Sequence, residues 1–374
     1  MVVASDATRN TDKKTSQMVY FIHSEALRKT GMITVFSEEH RLHFGKYELF
    51  DGKFITPVEC PERMDRIMQR IDEANLGEMI APQNFGIDPI ARVHSQEFID
   101  FMRSAYANWK RRHGDSDAIP FCWPGRTFRQ KPPQEIDGQL GYYSFDVVTP
   151  ITAGTWQAIT ASVNVALTGV ELIRSGKRTV FSACRPPGHH AGFDFYGGYC
   201  FFNNAAIAVQ ALLDQGADHV TLLDVDYHHG NGSQTIFYDR ADVLYVSLHG
   251  DPRQEYPYFL GYADEKGREA GEGFNCNLPM PWGTKWEDYR QSLDQGLKQI
   301  RSFSPDVLVI SLGVDTYEKD PISRFKLKSE HFLKLGDIIA KKTHCPSLFI
   351  MEGGYAVEKI GINVVKMLTG FINA

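Results

Sequence analysis

Short apolar runs that alternate with longer, helix-like stretches constrain the fold of this chain more than any other feature. The apolar runs span residues 32–37, 179–184, 220–227, 243–249, 306–312 and 347–351, and the helical stretches include residues 205–215, 286–303 and 329–342. Strands that are apolar along their whole length are buried on both faces. The pattern predicts an α/β fold of three layers, in which helices cover both faces of a central, mostly parallel sheet.

Two segments of the 374-residue chain depart from this pattern. Residues 1–17 are polar and the first buried strand is expected at residue 32, which predicts an N-terminal extension, residues 1–31, before a single domain, residues 32–374. Residues 109–146 form an insertion that is rich in proline, glycine, arginine and aromatic side chains. An irregular segment of this length is usually functional, as a lid, a substrate wall or a contact between subunits.

Composition limits the partners and the compartment. The formal charge of −6 argues against a nucleic-acid partner, which would require a basic face. The sequence contains no apolar stretch near the roughly 20 residues that cross a bilayer, and its first residues lack the apolar core of a signal peptide. The six cysteines are scattered without a Cys-x-x-Cys pair, as is typical of reduced thiols. We therefore expect a cytoplasmic protein without nucleic-acid or membrane partners.

The segment Asp224-Val-Asp-Tyr-His-His-Gly-Asn-Gly232 follows one of the apolar runs and reads as the end of a buried strand entering a glycine loop. Side chains alternate along a strand, so Asp224, Asp226 and His228 are expected on one face. Two carboxylates and an imidazole form half of a metal site, and zinc accepts this mixture of oxygen and nitrogen ligands. The alternative is that the carboxylates cap the next helix and the histidines are ordinary polar groups.

Three other strand ends carry residues that could complete such a site. Asp315 follows the run 306–312 and is a candidate third ligand, which would leave a coordination position for water and substrate. His189 and His190 follow the run 179–184 and could act as base and acid. Tyr355 follows two glycines after the last run, and its phenol could stabilise an oxyanion. Because ligand crevices form at the carboxyl ends of parallel strands, these residues are expected to meet.

Six motifs together resemble the zinc histone deacetylase family, in the expected order from about residue 32 to the C-terminus. They are Arg185-Pro-Pro-Gly-His-His-Ala191, Gly197-Gly-Tyr-Cys-Phe-Phe-Asn-Asn204, Asp224 to Gly232, Val246-Ser-Leu-His249, Leu312-Gly-Val-Asp315 and Glu352-Gly-Gly-Tyr355. Within the family the chain is most similar to the bacterial acetylpolyamine amidohydrolases, through Pro257-Tyr-Phe-Leu-Gly-Tyr-Ala-Asp264 and an insertion ending in Glu135-Ile-Asp-Gly-Gln-Leu-Gly-Tyr-Tyr143. The resemblance implies an arginase-like fold and identifies residues 32–374 as a deacetylase-like catalytic domain.

The resemblance also implies a role for each catalytic residue. The zinc ligands would be Asp226, His228 and Asp315. His190 would be the general base, and His189, supported by Asp224, would be its electrostatic partner. Tyr355 would donate a hydrogen bond to the scissile carbonyl. Asn231 would orient His190, at a position where many histone-type members carry an aspartate. Because an amide cannot stabilise an imidazolium as a carboxylate does, we expect His190 to be less basic than in those enzymes.

Further cations are implied by the resemblance besides one zinc ion per subunit. A structural potassium or sodium ion would be held by Asp224, Asp226, the His228 carbonyl, Ser247 and the Leu248 carbonyl. A second monovalent cation would lie near Phe237, Arg240, Val243 and Phe274, mostly on backbone carbonyls.

The substrate site is implied in less detail. Tyr199 and Phe259 would line a narrow aromatic tunnel, and Gly198 would accept a hydrogen bond from the substrate amide. Asp137 and Asp146 are candidates to pair with a distal ammonium, although both could instead be solvated loop carboxylates. The insertion could cover the active-site mouth of the other subunit in a homodimer and admit only slender acylated amines.

The predicted function is therefore that of a zinc-dependent amidohydrolase, which removes acetyl groups from acetylated polyamines or similar small cationic amines and releases acetate. Three alternatives stay open. They are a protein lysine deacetylase of the histone type, a dinuclear manganese ureohydrolase of the same fold, and an inactive binder of acylated amines. A dinuclear site would require additional Asp and His ligands that bridge a second metal.

Overall fold

The computed structural model describes residues 31–50 and 52–374, and it contains one large parallel sheet. The strands are β1 (Ile33–Val35), β2 (Glu48–Phe50), β3 (Lys53–Ile55), β4 (Met79–Ile80), β5 (Thr179–Ser182), β6 (Val220–Asp224), β7 (Val243–Gly250), β8 (Asn275–Met280), β9 (Val307–Leu312) and β10 (Ser347–Met351). Eight of them form the sheet in the order β4-β1-β5-β10-β9-β6-β7-β8, and every neighbouring pair is parallel. The other two form the antiparallel hairpin β2–β3.

Helices cover both faces of the sheet. They are α1 (Glu62–Glu73), α2 (Asp88–Ala91), α3 (Gln96–His113), α4 (Ile136–Tyr143), α5 (Thr155–Arg174), α6 (Asn204–Asp214), α7 (Asn231–Phe237), α8 (Trp286–Phe303), α9 (Ser329–Lys342) and α10 (Val357–Ile372). One apolar core packs α3, α5 and α6 against one face, and a second packs α1, α8, α9 and α10 against the other. Alternate strand residues serve the two cores, as Val309 and Ile310 do in β9.

The predicted α/β architecture is confirmed, with helices α8 and α9 at the predicted bounds. The strand expected over 220–227 ends earlier, at Asp224, because residues 225–230 leave the sheet to form a loop. The proposed extension, residues 1–31, lies outside the described residues except for Gly31. The insertion contains the end of α3, an irregular segment and all of α4. Among the described helices none is long and apolar enough to span a membrane.

The strand order determines where the polar loops meet. β5, β10, β9 and β6 are consecutive neighbours, and all four run in the same direction. The loops after these strands carry the histidine pair, Tyr355, Asp315 and the Asp226–His228 segment. Four stretches of chain that are far apart in sequence therefore converge at one edge of the sheet.

Candidate metal centre and active site

Asp226, His228 and Asp315 form a compact group of possible metal ligands. Their ligand atoms all lie within 4.8 Å of one another, and the three residues are buried. Nδ1 of His228 lies 3.1 Å from Oδ2 of Asp315 and 3.5 Å from Oδ1 of Asp226. The backbone amide of Gly353 donates to Asp226 at 2.8 Å, and that of Tyr227 donates to Asp315 at 2.8 Å. The three side chains are thus held in place by backbone donors from neighbouring loops.

The packing and charge of this group suit a cation. A β-carbon added to Gly313 would lie 2.0 Å from Oδ2 of Asp226, and one added to Gly353 would lie 2.7 Å from Oδ2 of Asp315. Glycine is therefore required at both positions for the two loops to approach the carboxylates. Burial, together with the charge of Asp226, raises the pKa of Asp315 to about 8. Two carboxylates this close cannot both be charged without a compensating cation, and three mixed ligands fit zinc.

The histidine pair lies beside the ligands, with one ring facing a carboxylate and the other an amide. Nδ1 of His189 lies 3.0 Å from Asp224, whereas Nδ1 of His190 lies 2.7 Å from Oδ1 of Asn231. Burial lowers the pKa of His189, but the charges of Asp226 and Asp224 outweigh it and raise this pKa to about 10. Burial and the charges of His189 and His228 hold the pKa of His190 well below its usual value. The geometry thus favours a charged His189 beside a neutral His190.

Tyr355 lies at the base of the same cleft and is held through its loop. Its backbone amide donates to Asp320 at 2.6 Å, and the guanidinium of Arg63 lies 4.8 Å from the centroid of its ring. Burial raises the pKa of Tyr355 well above its usual value, although the charge of Arg63 opposes this. The phenol therefore keeps its proton at neutral pH and is available as a hydrogen-bond donor.

The cleft that leads to these residues has a volume of about 420 Å³ and aromatic walls. Tyr199 lines it, with its hydroxyl donating to Glu48 at 2.5 Å. Gly198 adopts φ +57°, and a β-carbon there would lie 2.3 Å from the His190 ring. The structure does not place Phe259 in this wall, since that side chain is 82% exposed. Tyr256 lines the cleft where Phe259 was expected, and the centroid of its ring lies 5.1 Å from that of the His190 ring.

The two acidic residues considered for a substrate ammonium have different surroundings. Asp146 lines the cleft and accepts hydrogen bonds from the Gly198 amide at 2.6 Å and the Tyr256 hydroxyl at 2.8 Å. Asp137, in α4, lies outside the cleft lining and is paired with Arg112 at 2.6 Å and His113 at 2.7 Å. Of the two, only Asp146 could contact a ligand in the cleft of the same subunit.

The residues assigned to monovalent cations lie on neighbouring strands. Asp224 and Ser247 are direct partners in the pairing of β6 with β7, and Leu248 follows Ser247. For the second site, Phe237 is the last residue of α7 and Val243 is the first residue of β7. The Phe237 carbonyl accepts a hydrogen bond from the Arg240 amide, and the Phe274 carbonyl accepts one from the Tyr245 amide. Both sets therefore include residues of β7, the first near its carboxyl end and the second at its start.

A second buried group of possible ligands does not extend the metal site. His189, Cys200 and Glu352 come within ligand distance of one another. Glu352, however, already accepts hydrogen bonds from the amides of Gly188 and His189 and from the Ser311 hydroxyl. Among the described residues the two groups share no ligand, so this second group supplies no bridging ligand of the kind expected for a dinuclear manganese enzyme.

Several residues of the site left no clear signal in the sequence. Tyr256 lies immediately before the Pro257 motif and could have been found by extending that motif by one residue. Glu48 and Arg63 come from the hairpin and from α1, which are separated in sequence from Tyr199 and Tyr355 by more than a hundred residues. Glu255, which also lines the cleft, lies in an irregular loop without periodicity.

The fold and the site together define a class of protein. A three-layer α/β fold with a mixed carboxylate–imidazole triad, a histidine pair and a buried phenol at the carboxyl edge of its sheet is typical of a metal-dependent hydrolase.

Comparison with known proteins gives the family. The model of the histone deacetylase domain matches residues 57–371, so the chain belongs to that family, which is zinc-dependent. The chain is 56% identical over 340 residues to acetylpolyamine amidohydrolase 2 of Pseudomonas aeruginosa, a match that covers 91% of this chain and 98% of the relative. It is 45% identical to the acetylpolyamine amidohydrolase of Mycoplana ramosa, over 91% and 99% of the two chains.

A solved structure supports the same assignment. The crystal structure of acetylpolyamine aminohydrolase from Burkholderia pseudomallei superposes with a TM-score of 0.87 at 37% identity, and it covers 91% of this chain and 98% of the other. The family and the fold expected from the six sequence motifs are therefore confirmed.

Proposed function

We propose that this chain is a zinc-dependent amidohydrolase that hydrolyses acetylated polyamines or similar small cationic amides to acetate and the free amine. The observation that carries the proposal is that a narrow cleft ends at His190, His228 and Tyr355 and has a carboxylate, Asp146, in its wall. A slender acylated amine fits this shape and charge. The relatives named above, which match over nearly their whole lengths, are described as acting on the same class of substrate.

The chain's own residues divide the chemistry between them. Zinc, bound by Asp226, His228 and Asp315, would polarise the acyl oxygen and lower the pKa of water. His190, neutral and oriented by Asn231, takes a proton from the attacking water at Nε2 and returns it to the leaving amine. His189, supported by Asp224, places positive charge next to this proton transfer. Tyr355 donates to the acyl oxygen as negative charge develops there.

Substrate contacts follow from the cleft. Tyr199 and Tyr256 flank the acyl chain, and the Gly198 carbonyl accepts a hydrogen bond from the substrate amide. Asp146 pairs with the distal ammonium, while Asp137 would need to reach the cleft of another subunit. Phe259, exposed at the mouth, is a candidate for the same intersubunit contact.

We also infer a homodimer, structural monovalent cations and a cytoplasmic location. Phe121 and Phe128 of the insertion are 70% and 66% exposed, as suits a surface covered by a second copy. Asp224 and Ser247 would hold potassium or sodium beside the zinc site, and residues 237–243 with Phe274 would hold a second ion. The six cysteines are free thiols, as in a reducing compartment.

A substrate panel tests the proposed function. Turnover of acetylputrescine, acetylcadaverine and acetylspermidine is compared with that of acetyl-lysine peptides, using zinc-loaded protein. We expect the small amines to be preferred in kcat/KM by at least about tenfold. A preference for the peptides would replace the proposal by the protein lysine deacetylase. Metal analysis of the same protein distinguishes a mononuclear zinc enzyme from a dinuclear one, and absence of turnover on every substrate would leave an inactive binder.

A further inference from the structure

A buried ion cluster lies behind the active site and contains one carboxylate shared by two guanidinium groups. Glu59 Oε1 accepts from Arg63 Nη1 at 2.7 Å and from Arg185 Nε at 2.8 Å, and Oε2 accepts from Arg185 Nη2 at 2.8 Å. The three side chains are at most 3% exposed. None of them lines the cleft, so they do not contact a substrate there.

Each arginine of the cluster is tied to a different catalytic loop. Arg63 donates from Nε to the Gly354 carbonyl and from Nη2 to the Glu352 carbonyl, both at 2.6 Å, and its guanidinium faces the Tyr355 ring. Arg185 opens the Pro-Pro-Gly segment that ends in the histidine pair, and it also donates to the His40 carbonyl at 2.5 Å. The cluster therefore joins the loop of Tyr355 to the loop of His190.

Stability alone is a weak explanation for this arrangement. A buried ion pair seldom stabilises a protein more than apolar residues of similar volume would, because both charges must be desolvated. Here one carboxylate compensates two buried cations, and it pairs with Arg185 through both oxygens and with Arg63 through Oε1 alone. Bidentate pairing of this kind determines geometry as well as energy. In this cluster the geometry concerned is the position of the loop that carries Tyr355 relative to the loop that carries His190.

We propose that Glu59 is a positioning residue for catalysis, which sets Tyr355 relative to His190 by binding Arg63 and Arg185 together. The inference rests on the proposed function in so far as Tyr355 and His190 are the reacting groups. A displacement of the phenol by even a fraction of an ångström weakens its hydrogen bond to the developing oxyanion. Glu59 would therefore affect turnover more than substrate binding.

The first test is Glu59→Gln, which keeps the size of the side chain and removes its charge. We expect kcat to fall by about 10- to 100-fold, with KM and zinc content within about twofold of wild type. Glu62→Gln is the matched control, since Glu62 is an exposed carboxylate at the start of α1, the helix that carries Arg63, and it pairs with Arg66 at 2.9 Å. The control is expected to have wild-type kcat. A folded Glu59→Gln protein with unchanged kcat would refute the inference.

A double-mutant cycle with Tyr355→Phe separates positioning from a general loss of structure. If Glu59 acts through Tyr355, Glu59→Gln should lower kcat by less than about threefold once the phenol is gone. Losses that multiply in the double mutant would contradict the proposed route. If Glu59→Gln does not fold, Glu59→Asp takes its place, because it keeps the charge but cannot span both arginines. The cycle is run on whichever acetylated amine the wild type hydrolyses, so its outcome is independent of the substrate panel.

Discussion

The Nδ1 nitrogen of His190 lies 2.7 Å from the amide oxygen of Asn231. An amide oxygen can only accept, so Nδ1 must carry the proton and Nε2 presents a free lone pair. The hydrogen bond therefore selects the tautomer in which His190 can act as a base. His189 faces the carboxylate of Asp224 instead, so the two adjacent rings have opposite electrostatic environments.

Replacing Asn231 should impair catalysis without removing the metal. In Asn231→Ala the His190 ring loses the acceptor that fixes its tautomer and orientation, and we expect kcat to fall by about 10- to 100-fold. Asn231→Asp restores an acceptor and should recover part of this loss. Steady-state kinetics on zinc-loaded protein would measure both effects. Equal kcat for wild type and Asn231→Ala would show that the amide does not orient the base.

Removing the phenol should remove stabilisation of the developing oxyanion. We expect Tyr355→Phe to lower kcat by about 10²- to 10³-fold, with zinc content near one ion per chain. The Phe ring keeps the apolar contacts with Tyr199 and Arg63, so folding should be little affected. Kinetics combined with metal analysis tests this. Near-normal turnover would be incompatible with a donor role for the hydroxyl.

Withdrawing the metal should destabilise the fold as well as abolish activity. A metal that binds the assembled triad stabilises the folded state over the unfolded chain, and a ligand present at 1,000 times its Kd stabilises a protein by about 4 kcal/mol. We therefore expect a chelator to lower Tm, and His228→Ala to reduce both zinc content and the response to chelator. Calorimetry with and without chelator measures the shift. An unchanged Tm together with full activity would argue against a metal at this triad.

The cleft carboxylates should distinguish charged from neutral substrates. Asp146 and Glu255 both line the cleft, and a pairing with a distal ammonium contributes about 1 kcal/mol, or roughly fivefold in KM. We expect Asp146→Asn to raise KM for an acetylated diamine but not for a neutral acetylated alkylamine of equal length. Glu255→Gln is the parallel variant, and a larger effect there would move the ammonium site to that carboxylate. Equal losses on both substrates would indicate a structural role.

The sequence identified the parts of the site that lie within motifs. The order of the apolar runs grouped Asp226, His228 and Asp315, because parallel strands bring their carboxyl ends to one edge, although the alternation expected over 220–227 stops with β6 at Asp224. The bounds of α8 and α9 followed from their periodicity.

The remaining residues depend on contacts between distant segments. Glu59 meets Arg185 across 126 positions, and Glu48 meets Tyr199 across 151, so no local pattern links them. The family resemblance implied Tyr199 and Phe259 for the tunnel wall, and Tyr256 could not be added because the loop from 251 to 273 has no regular period from which a side-chain direction could be read. Asp137 was chosen by its position in a motif, and its pairing with Arg112 depends on how α3 and α4 pack.

The shared carboxylate of the buried cluster should make the fold sensitive to acid. Burial would raise the pKa of Glu59, but the charges of Arg185 and Arg63 outweigh it and lower this pKa to about 2, from an ordinary value of 4.5. A carboxyl group whose pKa is lower in the folded state stabilises that state at pH values above its unfolded-state pKa. The contribution of Glu59 is therefore complete above about pH 5 and is lost as the pH falls toward 2. Denaturant titrations should therefore show wild type more stable than Glu59→Gln at pH 7, with the difference shrinking at pH 3. A difference that is independent of pH would mean that Glu59 is not charged in the folded protein.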